Sequence, residues 1–190
     1  MHSSKSDSWG KEIYYLFLAQ DPDEIDPRLT EDGAADAKGV GSFMRHDHLP
    51  PPQTYYSSPL RRCITTATYI YGALHGPMLS PKNRVKEDLR VWMGCEHNHS
   101  PDQRRTKKQI EEDTTFRGKV DLTFKSDERF GDKDIMSGNN TKETYEDVRV
   151  RITRALINIF KHDDARVIHL FLHGRCFRYF LRTIGPSRGR

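Results

Sequence analysis

Long apolar runs are missing from this chain of 190 residues. No stretch approaches the roughly 18 residues that a membrane-spanning helix needs, so a transmembrane segment is excluded. No secretory leader is expected either. The opening MHSSKSDSWGKE has no apolar stretch, and an intracellular, cytoplasmic protein is expected. Cysteine is scarce: Cys63, Cys95 and Cys176 are scattered and odd in number, with no CxxC spacing. Neither a disulfide framework nor a zinc knuckle follows from them. Charge of one sign is not in excess. Lys and Arg total 31 against 27 Asp and Glu, a net charge of +4, too balanced for a dedicated nucleic-acid binder. Apolar residues make up 35% of the chain, and even with its 13 glycines it stays under the roughly 45–50% usual for soluble domains. The core must therefore be concentrated in a few segments.

Those segments can be read in order. Residues 1–11 are polar and are expected to be frayed. Residues 12–19 (EIYYLFLA) form an aromatic and β-branched run that fits a buried strand. After a turn-rich stretch, Thr30 can cap a helix in which Ala34, Ala37, Val40 and Met44 recur at helical spacing. HLPPP at 48–52 must be loop. Gln53 to Ser57 is a second short strand, followed by a helix with a stripe of Leu60, Ile64, Ala67, Tyr71 and Leu74. Residues 76 to 140 are charged and weakly periodic, and read as loop or short helix around an island of Leu89, Val91, Trp92 and Met93. From Thr141 the periodicity returns: Val148, Ile152, Ala155, Leu156 and Ile159 mark a helix ending near His162. RVIHLFL (166–172) is a buried strand, and a short helix with Phe177, Phe180 and Leu181 closes the pattern. Alternating strands and helices indicate an α/β sheet with parallel crossovers. One domain over 12–185 is expected, with a tail at 186–190.

In such sheets ligands gather beyond the carboxyl ends of the strands. Two clusters fall there. Ser57-Ser58-Pro59-Leu60-Arg61-Arg62 joins the second strand to its helix, and its hydroxyls, free helix N–H groups and guanidiniums suit a phosphate. The same residues also fit an ordinary helix cap with solvated arginines. His173-Gly174-Arg175 follows the 166–172 strand directly. A histidine there can bind an anion or move a proton, and the glycine allows close backbone approach.

Together the two clusters resemble the histidine phosphatase superfamily, of phosphoglycerate mutase-like fold, and its fungal phosphomutase-like branch. The matching stretches are DPRLTEDGAADAKGV, YYSSPLRRCITTATYIY, VKEDLRVWMG with DQRR shortly after, and FLHGRCFRYFLRTIG, in family order. The resemblance implies a three-layer sandwich, a mostly parallel sheet flanked by helices. It also implies phosphomonoester hydrolysis through a phosphohistidine, without a cofactor. His173 matches the family's second histidine and is the candidate catalytic residue. Arg62 matches the pocket arginine, and with Ser58 and Arg175 it would bind the phosphoryl oxygens of a small phosphorylated molecule or of inorganic phosphate.

The departures bear on activity. No Arg-His-Gly triplet follows the first strand: Leu18, Ala19 and Gln20 stand where it would begin. Leu89-Arg90 is followed by Val91 where an acid is usual, and Glu96 is the candidate to replace it by a local shift. Arg175 replaces a small residue, and the chain stops at TIGPSRGR where relatives continue into a further strand. Cys95-Glu96-His97-Asn98-His99 offers too few well-spaced ligands for a metal site, and none is expected. Arg45-His46 reads as a cationic helix end. Three functions remain open: a phosphatase, a non-catalytic phosphate-binding or regulatory relative, or a repurposed enzyme using His173 for acid–base work.

Overall fold

Hydroxyl side chains set where the helices begin. The computed structural model describes residues 25–75, 81–93, 100–123, 131–134 and 142–184. Their elements are α1 (Glu31–His46), β1 (Thr54–Ser57), α2 (Arg61–His75), β2 (Asn83–Val85), α3 (Lys107–Glu112), β3 (Val120–Asp121), α4 (Tyr145–His162), β4 (Ile168–Phe171) and α5 (Gly174–Ile184). Short 3-10 turns lie at Glu87–Leu89 and Ser100–Asp102. Thr30 caps α1, its hydroxyl accepting from the Gly33 N–H at 3.1 Å. Glu31 and Asp32 in the first turn and Arg45 and His46 in the last match the helix dipole at both ends. Thr106 with Gln109, and Thr144 with Asp147, close reciprocal capping boxes on α3 and α4.

The sheet among the described residues is four-stranded and parallel, in the order β3-β2-β1-β4. Tyr55 and Tyr56 are adjacent in β1 and therefore point to opposite faces. Tyr55 packs on Ala67 and Tyr71 of α2, its ring stacked 3.8 Å from that of Tyr71. Tyr56 packs on Val148, Ile152, Ala155 and Ile159 of α4 and on Cys176 of α5. Helices cover both faces, which makes the three-layer α/β arrangement. Each fully buried aliphatic side chain such as Ile152 contributes about 1.5–3 kcal/mol to it.

The structure differs from the sequence reading in instructive places. The apolar stripe of α1 turns inward through Ala37, Gly41 and Met44, while Val40 is exposed. Gly41 is the reason. A Cβ there would collide with the carbonyl oxygen of Ile70 in α2, so the two helix backbones touch where glycine permits it. The charged middle contains two strands, β2 and β3, of three and two residues, too short to leave a periodic signal. In α5 the inward residue is Cys176, with Phe180 beside it, whereas Phe177 and Leu181 stay exposed. The strand expected over 12–19 lies outside the described residues.

Candidate functional site

The direction in which the chain winds reverses at one point of the sheet, where a crevice is expected. β1 and β4 are parallel neighbours, yet α2 leaves β1 for the Tyr55 face and α5 leaves β4 for the Tyr56 face. Where successive helices depart to opposite faces, the carboxyl ends of the strands leave room for a ligand. The Ser58 N–H donates to the Phe171 carbonyl at 2.9 Å and ties the two strand ends together.

Three of the expected residues meet at that point. His173 Nε2 lies 3.0 Å from Ser58 Oγ. Arg62 Nη2 approaches His173 Nδ1 at a long 3.5 Å. With a donor facing Nδ1, the imidazole proton belongs on Nε2, where Ser58 Oγ accepts it. Arg62 also reaches across the crevice: Nη1 donates to the Pro101 carbonyl at 2.6 Å and Nη2 to Asp102 Oδ1 at 2.7 Å. Arg61, its neighbour, pairs with Asp113 at 2.7 Å. Neither arginine is the solvated cap residue that composition alone allowed.

The first turn of α2 is held from outside. Asp26 is 1% exposed and Oδ1 accepts the Arg61 N–H at 2.6 Å. Its φ of 54° is left-handed, a region that aspartate and asparagine tolerate better than most residues. Burial pushes its carboxyl up to about 6, against the pull of the Arg61 N–H and of Arg105 and Arg62.

Positive charge surrounds the imidazole. Burial comes first, and Arg62, Arg151 and Arg90 add to it, holding His173 well below the ordinary histidine value. The ring is therefore neutral near pH 7. Cys63 Sγ lies 3.5 Å from Nε2, and burial pushes its thiol up to about 12, so it stays protonated and is a poor nucleophile. Beneath the cluster Arg90 is fully buried. It donates to Glu87 at 2.9 Å, to both oxygens of Asp134 at 2.5 and 3.0 Å, and to the Asp102 carbonyl at 2.7 Å. Its own carbonyl accepts from Arg151 at 3.0 Å and from the Cys176 thiol at 3.0 Å.

Arg175 stands in the first turn of α5, exposed, with its guanidinium 5.2 Å from the centroid of the Trp92 ring. Glu96, with the rest of the 95–99 cluster, lies outside the described residues, as do Leu18, Ala19 and Gln20. Arg45-His46 forms the last turn of α1, where His46 pairs with Asp47 at 3.0 Å. Sequence reasoning missed Cys63, Arg90 and Arg151 around His173, and Asp102 as the partner of Arg62. A signal was present for one of them: a buried arginine on an apolar helix face, such as Arg151 between Val148 and Ile152, requires a carboxylate, here Glu143 at 2.6 Å.

A model of the histidine phosphatase superfamily (branch 1) matches residues 22–187. A curated protein of Arthroderma benhamiae (strain ATCC MYA-4681 / CBS 112371), named "Probable phosphoglycerate mutase", is 32% identical over 164 residues. That match covers 84% of this chain but 46% of the relative, so the chain spans about half of that protein's length. Among solved structures, the ecdysone phosphate phosphatase of Bombix mori, in complex with tungstate, aligns with a TM-score of 0.62 at 19% identity. The alignment covers 87% of this chain and 61% of the other, and is a likeness of fold.

Proposed function

The chain belongs to the histidine phosphatase superfamily, and on that premise we propose that Ser58, Arg62 and His173 bind the phosphoryl group of a small phosphomonoester or of inorganic phosphate. One observation carries the reading: these three side chains converge at the carboxyl ends of β1 and β4, within 3.5 Å of one another along the chain Ser58–His173–Arg62. Arg62 offers a planar fork that matches two phosphoryl oxygens. Ser58 supplies a hydroxyl, and the first turns of α2 and α5 supply backbone N–H groups with the positive end of each helix dipole. An arriving dianion places negative charge beside His173, which then takes up a proton and becomes a second cation.

Turnover is the weaker half of the family's chemistry in this chain. The phosphohistidine route needs an imidazole nucleophile, and the sequence contains no Arg-His-Gly triplet to supply one. Val91 after Leu89-Arg90 takes the usual place of the acid that protonates the departing oxygen, a service typically worth about 10²–10⁴-fold in rate, and leaves Glu96 as the sole candidate to supply it. The proposal is therefore a phosphate-binding member with little or no phosphatase activity. It places the protein in the fungal phosphomutase-like branch, as one domain over 12–185, in the cytoplasm. The branch assignment is supported by the fungal source of the Arthroderma relative. No described helix is long and apolar enough to cross a membrane.

Calorimetry with inorganic phosphate tests the binding half, and p-nitrophenyl phosphate hydrolysis the other. The chain should bind phosphate, lose that binding on Arg62→Ala, and show turnover near background unless an Arg-His-Gly loop is built in after Leu18. Phosphate binding indifferent to Arg62→Ala would sink the pocket assignment. Robust turnover abolished by His173→Ala would show that the nucleophile has been misjudged.

A further inference from the structure

Arg62 does not wait with a free fork. Both terminal nitrogens are engaged by the Ser100–Asp102 turn, Nη1 by the neutral Pro101 carbonyl and Nη2 by the charged Asp102 carboxylate. We propose that the Asp102 carboxylate is an internal competitor for the anion at Arg62, and that ligand enters by taking over the Nη2 hydrogen bond from it. This inference rests on the phosphoryl-binding reading above and adds a selectivity device to that site.

Three features make the exchange feasible. First, the pair is partly open to water: the side chains of Arg62 and Asp102 keep 26% and 19% exposure. An ion pair that water reaches at both side chains costs less to break than one sealed in the interior. The buried pairs below differ. Arg90 and Glu87 are 0% and 1% exposed, and separating them would strand a charge in the interior. Second, the turn need not move. Its backbone is pinned at two successive carbonyls, Pro101 O by Arg62 and Asp102 O by Arg90, so only the carboxylate has to swing away. Third, the retained Pro101 contact keeps the guanidinium aimed while its other nitrogen changes partner.

The consequence is selectivity by charge. A ligand at Arg62 must outcompete a carboxylate already in contact, and must do so beside the negative charge it displaces. A phosphate dianion can, because it gains Ser58, His173 and the helix N-termini together with Arg62. A singly charged carboxylate gains less and meets the same repulsion. Asp102 thus keeps the guanidinium from common monoanions without blocking it.

Titration calorimetry on the full chain, with inorganic phosphate and separately with acetate as probes, tests this. Asp102→Asn and Asp102→Ser should bind phosphate about two- to fivefold more tightly than the unsubstituted protein, the range expected for relieving an ion pair that water still reaches. Both should gain measurable acetate binding, while Asp102→Glu, which keeps the charge, should gain neither. A residue that merely supports the fold would weaken phosphate binding on substitution and leave the phosphate-to-acetate preference unmoved. If the unsubstituted chain binds phosphate through Arg62 and neither neutral variant binds tighter, the competitor role is overturned and the pocket stands. If no variant shows phosphate binding that Arg62→Ala removes, the pocket reading itself falls, and this inference with it.

Discussion

Replacing Asp26 by asparagine should stabilise the protein above about pH 6 and leave it nearly unchanged near pH 4. Burial raises the Asp26 carboxyl from 3.8 to about 6 in the folded chain, outweighing the Arg61 N–H and the charges of Arg105, Arg62 and Arg61. Between those values the folded state holds a proton that the unfolded state has released. Stability therefore falls as pH rises through the window, by up to about 1.4 kcal/mol per unit and roughly 3 kcal/mol in total. Asparagine removes that penalty and keeps what Asp26 does structurally. Its amide oxygen can still accept the Arg61 N–H, and asparagine suits the left-handed φ of 54°. Arg105 loses a 3.5 Å partner but retains Asp113 at 2.9 Å, so the expected net gain at about pH 7.5 is roughly 1–3 kcal/mol. Urea unfolding of both proteins at four values from about pH 4 to 7.5 gives the difference free of every other titrating group. A difference that does not change with pH, or a variant less stable at pH 7.5, would refute the reasoning.

His173 should act in the opposite sense. Its depressed value means that the unfolded chain takes up a proton that the folded ring refuses, so stability present above 6.5 is lost as pH falls below it. His173→Gln should remove that part of the slope, and a difference that is flat between about pH 7.5 and 5.5 in denaturant titrations would count against it. Gly41→Ala should cost about 1–3 kcal/mol in thermal unfolding, because its methyl meets the Ile70 carbonyl and stands 2.9 Å from Ala73 Cβ. Arg90→Gln should cost about 3–5 kcal/mol, since it leaves Glu87 and Asp134 without the guanidinium between them. A loss under about 1 kcal/mol by urea titration would mean that water replaces the charge.

Periodicity exposed the larger elements in advance, and the physical reason is length. The stripe from Ile64 to Tyr71 and the one from Val148 to Ile159 each run through several turns, and the structure buries the same side chains. β2 pairs through Arg84 and Val85 with Tyr56 and Ser57, but three residues carry no pattern. The Ser58, Arg62 and His173 positions were legible because strand ends and helix starts fix them locally. Asp102 was not. It comes to Arg62 across 40 residues through a turn whose sequence, Ser-Pro-Asp, says nothing about what it faces. The exchange of Val40 for Gly41 on the inner face of α1 was equally hidden, because hydrophobic spacing registers side chains and not the close approach of two backbones.

The position of Arg90 has a consequence for how this region opens. Through one residue the 3-10 turn at Glu87–Leu89, the carbonyl of Asp102, the segment holding Asp134, helix α4 and helix α5 are joined. Detaching any one of them leaves a charge or a polar group unsatisfied in the interior, so partial opening has no cheap first step. Amide hydrogens in residues 87–93, 102–104 and the first turns of α5 should accordingly exchange with solvent at similar rates, as one cooperative unit. Local fluctuation is then confined to the side chains lining the crevice, while the floor beneath them opens as a whole or stays closed.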